Sequence, residues 1–397
     1  MISVEEALGK ILERVAPLGA EMVGIEEAHK RVLAEAIIAE RQLPPWDNSA
    51  MDGYAVRVSD VEIGRALPIA QTIAAGHAPL PLAAGSAARV MTGAPIPVGA
   101  DAVVMREEAV DSDDSVKFNI VPIKGDHVRK AGDDVQIGAP VLLPGDSLNA
   151  GEIGLIAALG RTRLAVRRRP RVAIVSTGDE LVEADRAPGA GQIVGSNGLA
   201  LAAQCREAGA IPTLLPIARD DKETIKAALR EALSADAVLS SGGVSVGDFD
   251  FVKEALDELG VKQEFWRVAM KPGKPIAFGT RDGKPLFGLP GNPASSMVGF
   301  ELFVRPALRR MAGFREVGRP RAPVLLDEPY RHGGKRRHYV RASVRRDGAL
   351  LRGRPNARQG SGMLRSMVGV NALLEIAEDA GLLDAGSTVT ALLLDAV

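Results

Sequence analysis

Apolar residues at Val4, Ala7, Leu8, Ile11, Leu12 and Val15 repeat at helical spacing behind a Ser3–Glu6 capping box, so an amphipathic helix is expected at the start. A second helix is expected over about Ile25–Leu33 and a strand over Ala34–Ala39, before Pro44, Pro45 and Trp46 break the pattern. Between residue 61 and about 140 the apolar runs shorten, as at Ala102–Met105 and Val116–Val121. Gly and Pro separate them, which predicts a β-rich region. Helical spacing returns over Leu148–Leu159. Arg167–Arg169 and Pro170 read as a solvated linker and a domain boundary.

From 171 to 315 strand and helix alternate. Strands are expected at Arg171–Ser176, Ile211–Pro216, Ala237–Leu239, Phe265–Ala269, Ile276–Gly279 and Leu286–Leu289. Helices are expected over Leu199–Ala208 and Lys222–Leu233, from about Phe251, and from Pro293 to about Met311. This rhythm predicts an α/β unit, a parallel sheet with helices on both faces, and ligands bind beyond the carboxyl ends of such strands. After about Gly318 the pattern is β again.

The stretch Ala237–Asp250, AVLSSGGVSVGDFD, concentrates the chemistry. A buried strand runs into Ser240, Ser241, Gly242 and Gly243, a turn expected to bare its backbone N–H groups. Gly247, Asp248 and Asp250 lead into a helix. A Gly-rich strand-to-helix loop cradles anions, and acids beside it suit a divalent cation that neutralises phosphate oxygens. The blander reading is a βα turn with N-capping acids. The loops TGDE (177–180), GSN (195–197), ARDD (218–221), MKPGKP (270–275) and LPGNP (289–293) also follow strand-like runs, which puts them on one rim. Two further loops are dense in polar groups: Asp47–Ala55, and Arg129–Asp134, where two bases and two acids surround a Gly. No GxGxxG or P-loop lysine motif is present, so an ordinary dinucleotide or ATP-hydrolase site is not expected.

Composition narrows the classes. The net charge of −1 and 4% aromatic content offer little to nucleic acid. Arg331–Arg346 carries seven Arg or Lys and two His, and a basic wall for an anionic ligand fits it better than RNA. Cys205 is the single cysteine and lies in a helical pattern, so a buried thiol is expected and an internal disulfide is excluded. No uncharged apolar run reaches 18 residues, and the acidic N-terminal helix is unlike a signal peptide; no membrane partner and a cytoplasmic location are expected. Cys, His and acid spacings match no closed zinc site.

The ordered set DNSAMDGYA, MTGAP, STGDEL, SSGGVSVGDFD, KPGKP and LPGNP resembles the MoeA family of molybdopterin molybdenumtransferases, which includes the gephyrin E domain, over essentially the whole chain. The resemblance implies four domains: 1–20 with 40–47 and 139–169 helical, 21–39 with 48–138 β-rich, 170–318 α/β and molybdopterin-binding, and 319–397 a small β-barrel. It implies insertion of molybdenum from molybdate into adenylylated molybdopterin, with Mg2+ and with release of AMP, by a homodimer. Because the chain carries no adenylyltransferase domain of its own, a molybdopterin adenylyltransferase is an expected partner.

By motif match the family's functional acids fall on Asp52, Asp134, Glu180, Asp220 or Asp221, and Asp250. Asp52 and Asp250 are expected to hold metal or position water. Glu180, Asp220, Asp221 and Asp134 are expected to hold Mg2+ or nucleotide. Lys271 and Lys274, with Arg267 nearby, are expected at molybdate or phosphate oxygens. Ser240, Ser241, Gly242, Gly243 and Ser245 would donate to phosphate. Thr92, Ser176, Thr177, Gly178, Ser196, Asn197, Gly291, Asn292, Arg341 and Ser361 complete the expected substrate contacts, and Pro290 and Pro293 shape their loop. A dimer could bring the basic C-terminal segment over a neighbour's cleft. The rival readings are a molybdopterin adenylyltransferase, a non-catalytic scaffold, and a tungstate-preferring enzyme of the same type.

Overall fold

The computed structural model describes residues 1–243 and 251–395. Ser245 and Asp250 lie outside the described residues. The central unit is a six-stranded sheet in the order Ile211–Leu214, Arg171–Ser176, Ala237–Ser241, Lys284–Leu289, Ala277–Arg281 and Lys262–Phe265. Its first four strands are parallel, as expected. Ala277–Arg281 pairs antiparallel with Lys284–Leu289, because Asp282 (φ 50°) and Gly283 (φ 74°) close a two-residue hairpin of left-handed residues, and Lys262–Phe265 pairs antiparallel with Ala277–Arg281 at the edge. Alternation along one strand serves two cores. Val172 and Ile174 pack with the helices Ser196–Glu207 and Arg305–Met311, while Ala173 and Val175 pack with Lys222–Ala232 and Phe251–Glu258. Cys205 is fully buried in the first core, and burial pushes its thiol up to about 12, so it is inert at neutral pH.

The N-terminal half differs from expectation in three ways. The helix Val4–Arg14 buries Val4, Ala7 and Ile11 in the first α/β core, not in a helical unit of its own. The segment after it pairs with distant chain: Ala20–Gly24 runs antiparallel to Arg163–Arg167, and Val23, Leu33 and Ile37 share a core with Leu148, Ile156 and Leu164. Residues 21–39 therefore pack with the 139–167 segment and not with the β-rich sheet. The helix expected at Ile25–Leu33 is one 3-10 turn, Ile25–Glu27. Lys30 sits at φ 61°, and Val32 and Leu33 form bridges to Ser147 and Val166; tertiary pairing overrides the local helical spacing.

The β-rich unit is a six-stranded sheet in the order Ala102–Met105, Gly53–Val56, Ala87–Val90, Ala66–Ile73, Ser115–Phe118 and Ala109–Asp111. At the C-terminus five strands close on themselves. Arg337–Asp347 pairs with Leu350–Pro355, then in turn follow Arg321–Leu326, Thr388–Leu393 and Ala372–Ile376, which pairs back to Arg337–Asp347. Closure removes the sheet's free edges. Of the run expected as a strand at Phe265–Ala269 only Phe265 is in one, at the end of Lys262–Phe265 in the α/β sheet, and Val268 bridges to Ile2; Met270–Lys271, expected as loop, adds in parallel to Arg337–His338 of the barrel.

Candidate active site

A cleft of about 580 Å³ opens at the carboxyl ends of the parallel strands. Three loops of the α/β sheet form its floor: Ser176-Thr177-Gly178, Ser241-Gly242-Gly243 and Pro290-Gly291-Asn292. They are tied to one another. Thr177 N donates to Ser241 O (3.1 Å), and Gly242 N donates to Leu289 O (3.1 Å), so this amide of the expected cradle is already engaged. Asn197 Nδ2 donates to Ser241 Oγ (2.9 Å) and to Gly291 O (2.8 Å), which joins the third loop to the second. Ser196 and Asn197 begin a 12-residue helix, and Asn292 and Pro293 begin another, so two helix N-termini face the cleft. Such ends favour phosphate or another anion. Ser240 lies buried in the strand beneath and does not line the cleft.

Glu180 and Asp220 also line the cleft, with the Glu180 carboxylate over Gly178, where an added Cβ would meet Oε2 at 2.6 Å. Asp220 and Asp179 bond each other's backbone: Asp220 N donates to Asp179 Oδ1 (3.2 Å), and Asp179 N to Asp220 Oδ2 (3.4 Å). Burial, then the charges of Asp179 and Glu180, holds the Asp220 carboxyl above its ordinary range. The folded state thus favours protonated Asp220, and that stability is lost as pH rises through the raised value. Asp220→Asn is expected to raise the urea midpoint at pH 8, with a gain that shrinks toward pH 4; a midpoint gain independent of pH would disprove the assignment. Asp221 serves a different purpose. Its Oδ1 accepts from Thr224 N (2.8 Å) as the N-cap of Lys222–Ala232, which lowers its pKa, and it does not line the cleft.

The barrel meets the cleft through one loop, and among the described residues no Lys or Arg lines the cleft, so Arg267, Lys271, Lys274 and Arg341 lie outside its lining. Gly362 lines the cleft, and Ser361 O accepts from Ala294 N (3.0 Å) at the start of a cleft helix. A loop of the barrel thus meets its own chain's cleft, where the sequence allowed a neighbour's. Arg341 is fully buried. Its Nη2 donates to Gly360 O (3.1 Å), while Nε and Nη1 have no partner among the described residues. Near it lie His338 and His332, both in the basic run that the sequence offers to an anionic ligand, and Tyr330, which sequence reasoning passed over. His338 Nδ1 bonds Tyr330 Oη (2.7 Å), while its Nε2 and both ring nitrogens of His332 are unpartnered among the described residues. Burial and then the charges of Lys271 and Arg341 push His338 down to about 3. Lys271, Lys274 and Arg267 are exposed; Lys271 sits in the short strand paired to His338, and Arg336 Nη1 donates to Met270 O (2.9 Å).

His338 makes a testable contribution. Its folded pKa lies below the ordinary 6.5, so the unfolded chain binds the extra proton, and stability falls as pH drops from about 6.5 toward 3. The loss amounts to about 1.4 kcal/mol per pH unit in that window. His338→Gln is expected to flatten the limb between pH 6.5 and 4.5 in urea titrations; an unchanged slope would refute a neutral, buried His338.

Asp52, Thr92 and Asp134 stand apart. Asp52 Oδ1 accepts from Thr92 N (2.6 Å) and Oγ1 (2.8 Å), which lowers its pKa. Asp134 is exposed and donates its amide to Leu43 O (2.9 Å). None of the three lines the cleft. The lining also includes Leu181, Ile193, Val194 and Pro275, which sequence reasoning passed over. The exposed pair Ile193-Val194 ahead of a Gly-Ser-Asn turn was the available signal.

Residues 2–160 match the MoeA N-terminal region (domain I and II), 173–310 a probable molybdopterin binding domain, and 323–394 the MoeA C-terminal region (domain IV). The chain is 39% identical over 389 residues to a molybdopterin molybdenumtransferase of Nostoc sp., covering 94% of this chain and 89% of that protein. It is 38% identical over 392 residues to molybdopterin molybdenumtransferase 2 of Mycobacterium tuberculosis, covering 96% of each. The crystal structure of a molybdopterin biosynthesis MoeA protein from Pyrococcus horikoshii superimposes with a TM-score of 0.85 at 30% identity, over 99% of this chain and 100% of that one. With its sequence, its cleft and its closed C-terminal barrel in agreement, this chain belongs to the MoeA family of molybdopterin molybdenumtransferases.

Proposed function

We propose that the chain takes molybdate and adenylylated molybdopterin and releases molybdenum cofactor and AMP. The observation that carries this reading is the cleft's mixed lining, which joins two helix N-termini and glycine loops to the carboxylates of Glu180 and Asp220. A pyrophosphate link needs donors for its oxygens and a cation to offset its charge. Glu180 and Asp220 suit Mg2+: burial and then the charges of Asp179 and Glu180 raise Asp220, and a divalent cation would offset that negative charge. Mg2+ is commonly held by one or two carboxylates plus substrate oxygens and water. Bound there, Mg2+ would offset charge on the phosphate oxygens as the P–O bond breaks. The chain's own groups orient the substrate: Asn197 fixes the floor, the helix N-termini receive phosphate, and Arg341 with Lys271 and Lys274 receives the oxyanion.

Asp52, Thr92 and Asp134 belong to this reading through a second copy, whose β-rich unit would bring them to the cleft. Mixing Asp52→Ala chains with Asp220→Ala chains tests this: recovered activity supports a shared site, and none rejects it. No helix among the described residues is long and apolar enough to cross a membrane.

The deciding assay is AMP release from adenylylated molybdopterin with Mg2+, with and without molybdate. Molybdate-dependent release supports insertion. Tight binding without such release favours a scaffold, and AMP transfer from ATP onto molybdopterin would favour an adenylyltransferase. Tungstate in place of molybdate tests metal preference.

A further inference from the structure

Away from the cleft, one carboxylate is buried where three parts of the chain meet. Glu301 is 5% exposed, in a π-helical turn, Phe300–Val304, between the helical segments Pro293–Gly299 and Arg305–Met311. Its Oε1 accepts from Gln204 Nε2 (2.9 Å), near the end of the helix that begins with Asn197. Its Oε2 accepts from Arg319 Nε (2.8 Å), and Oε1 receives a longer bond from Arg319 Nη2 (3.4 Å). Arg305 Nε stands 3.9 Å away. Arg319 lies in the connection that enters the barrel at Arg321. Upstream in the same connection Arg315 pairs with Asp146 (2.8 Å) and donates to Pro144 O (2.9 Å), holding the N-terminal half.

The two helices that meet Glu301 at one end present Asn197 and Asn292 to the cleft at the other. The barrel that Arg319 leads into carries Ser361, whose carbonyl receives the Ala294 amide, and Arg341. Glu301 thus sits on the far side of a frame whose near side is the cleft. A carboxylate-guanidinium pair with two N–H···O contacts fixes direction as well as distance, which a greasy contact does not. π turns are also frequent at sites under functional constraint.

We propose that Glu301 is a positioning residue: through Arg319 it sets the C-terminal barrel, and with it Ser361 and Arg341, against the cleft formed by the α/β unit. The inference rests on the insertase reading for the roles of Ser361 and Arg341. The docking itself is independent of that reading, and the test separates them.

The test compares wild type, Glu301→Gln and Arg319→Lys, the second as the milder change in case the first misfolds. Hydrogen exchange is followed at the Ala294 amide, which reports docking of the Ser361 loop, and at Val340, inside the barrel. The expected result is exchange at least tenfold faster at Ala294 with Val340 unchanged. The KM for molybdate should rise at least tenfold, with AMP affinity within twofold of wild type, because the nucleotide walls of the cleft lie within the α/β unit. Unchanged Ala294 exchange in both variants would overturn the proposal. Equal acceleration at Ala294 and Val340 would also overturn it, since that marks general loss of stability. If wild type shows no molybdate-dependent AMP release while Ala294 exchange still quickens, the positioning role stands and the insertase reading falls.

Discussion

Replacing Arg341 with methionine is expected to stabilise the ligand-free protein and, at the same time, to remove its response to molybdate. The guanidinium is fully buried, two of its nitrogens have no partner among the described residues, and burial lowers its pKa. The neighbouring His338 feels Lys271, His332 and Arg336 as well as Arg341, and none of these offers the guanidinium a compensating charge. A buried unpaired cation costs stability that an apolar side chain of similar length does not, and such replacements gain ~1–4 kcal/mol. The same donors would meet an oxyanion, so the KM for molybdate should rise at least a hundredfold. Urea titration and AMP release measured on one preparation check both signs. A fall in stability together with activity would make Arg341 structural and would remove the oxyanion site from this position.

Gly242→Ala is expected to disable nucleotide binding. Gly242 sits at φ 99°, and an added Cβ would lie 2.7 Å from Thr177 O and 2.9 Å from Thr177 Oγ1. Its amide is held by Leu289 O, so the turn cannot rotate away without breaking the tie between two cleft loops. The conformational strain alone is ~1–3 kcal/mol, and the backbone clash adds to it. AMP affinity should fall at least a hundredfold by equilibrium dialysis, with secondary structure retained by circular dichroism. Gly64→Ala is the control: φ is 77° there too, but nothing lies within 4 Å of the added carbon. It should cost stability and leave AMP affinity unchanged. Equal loss in both variants would mean that left-handed strain, and not the cleft contact, governs the effect.

The α/β unit was legible because its signals are local. Strand-length apolar runs, glycine turns and capping acids each specify their own conformation, and the parallel order follows from the alternation. Glu180, Asp220, Asn197 and Asn292 could be placed on the cleft rim for the same reason: each lies in the connection or helix start that follows a strand. Partners far apart in the chain leave no comparable cue. Nothing near Ala20–Gly24 announces Arg163–Arg167, and nothing in the helical spacing of Ile25–Leu33 reveals that Lys30 turns left-handed so that Val32 and Leu33 can pair elsewhere. Asp220 and Asp221 look alike in ARDD, and only the Thr224 amide shows which one is a cap. Glu301 reads as one more charge in an apolar helix until Gln204 and Arg319 are placed around it.

The helix Val4–Arg14 is among the first pieces of the chain to be made and among the last to find its place. Val4, Ala7 and Ile11 bury against side chains as far along as Val304 and Met311. At ribosomal rates of about 5–20 residues per second, some fifteen seconds to a minute separate its emergence from that of its partners. For that interval an amphipathic helix with an unsatisfied apolar face travels with the nascent chain. Its acidic first turn, Glu5 and Glu6, and the polar remainder of its surface keep it soluble meanwhile. A newly made molecule therefore carries a chaperone-accessible face that the finished one has hidden, and completion of the α/β core is the event that withdraws it.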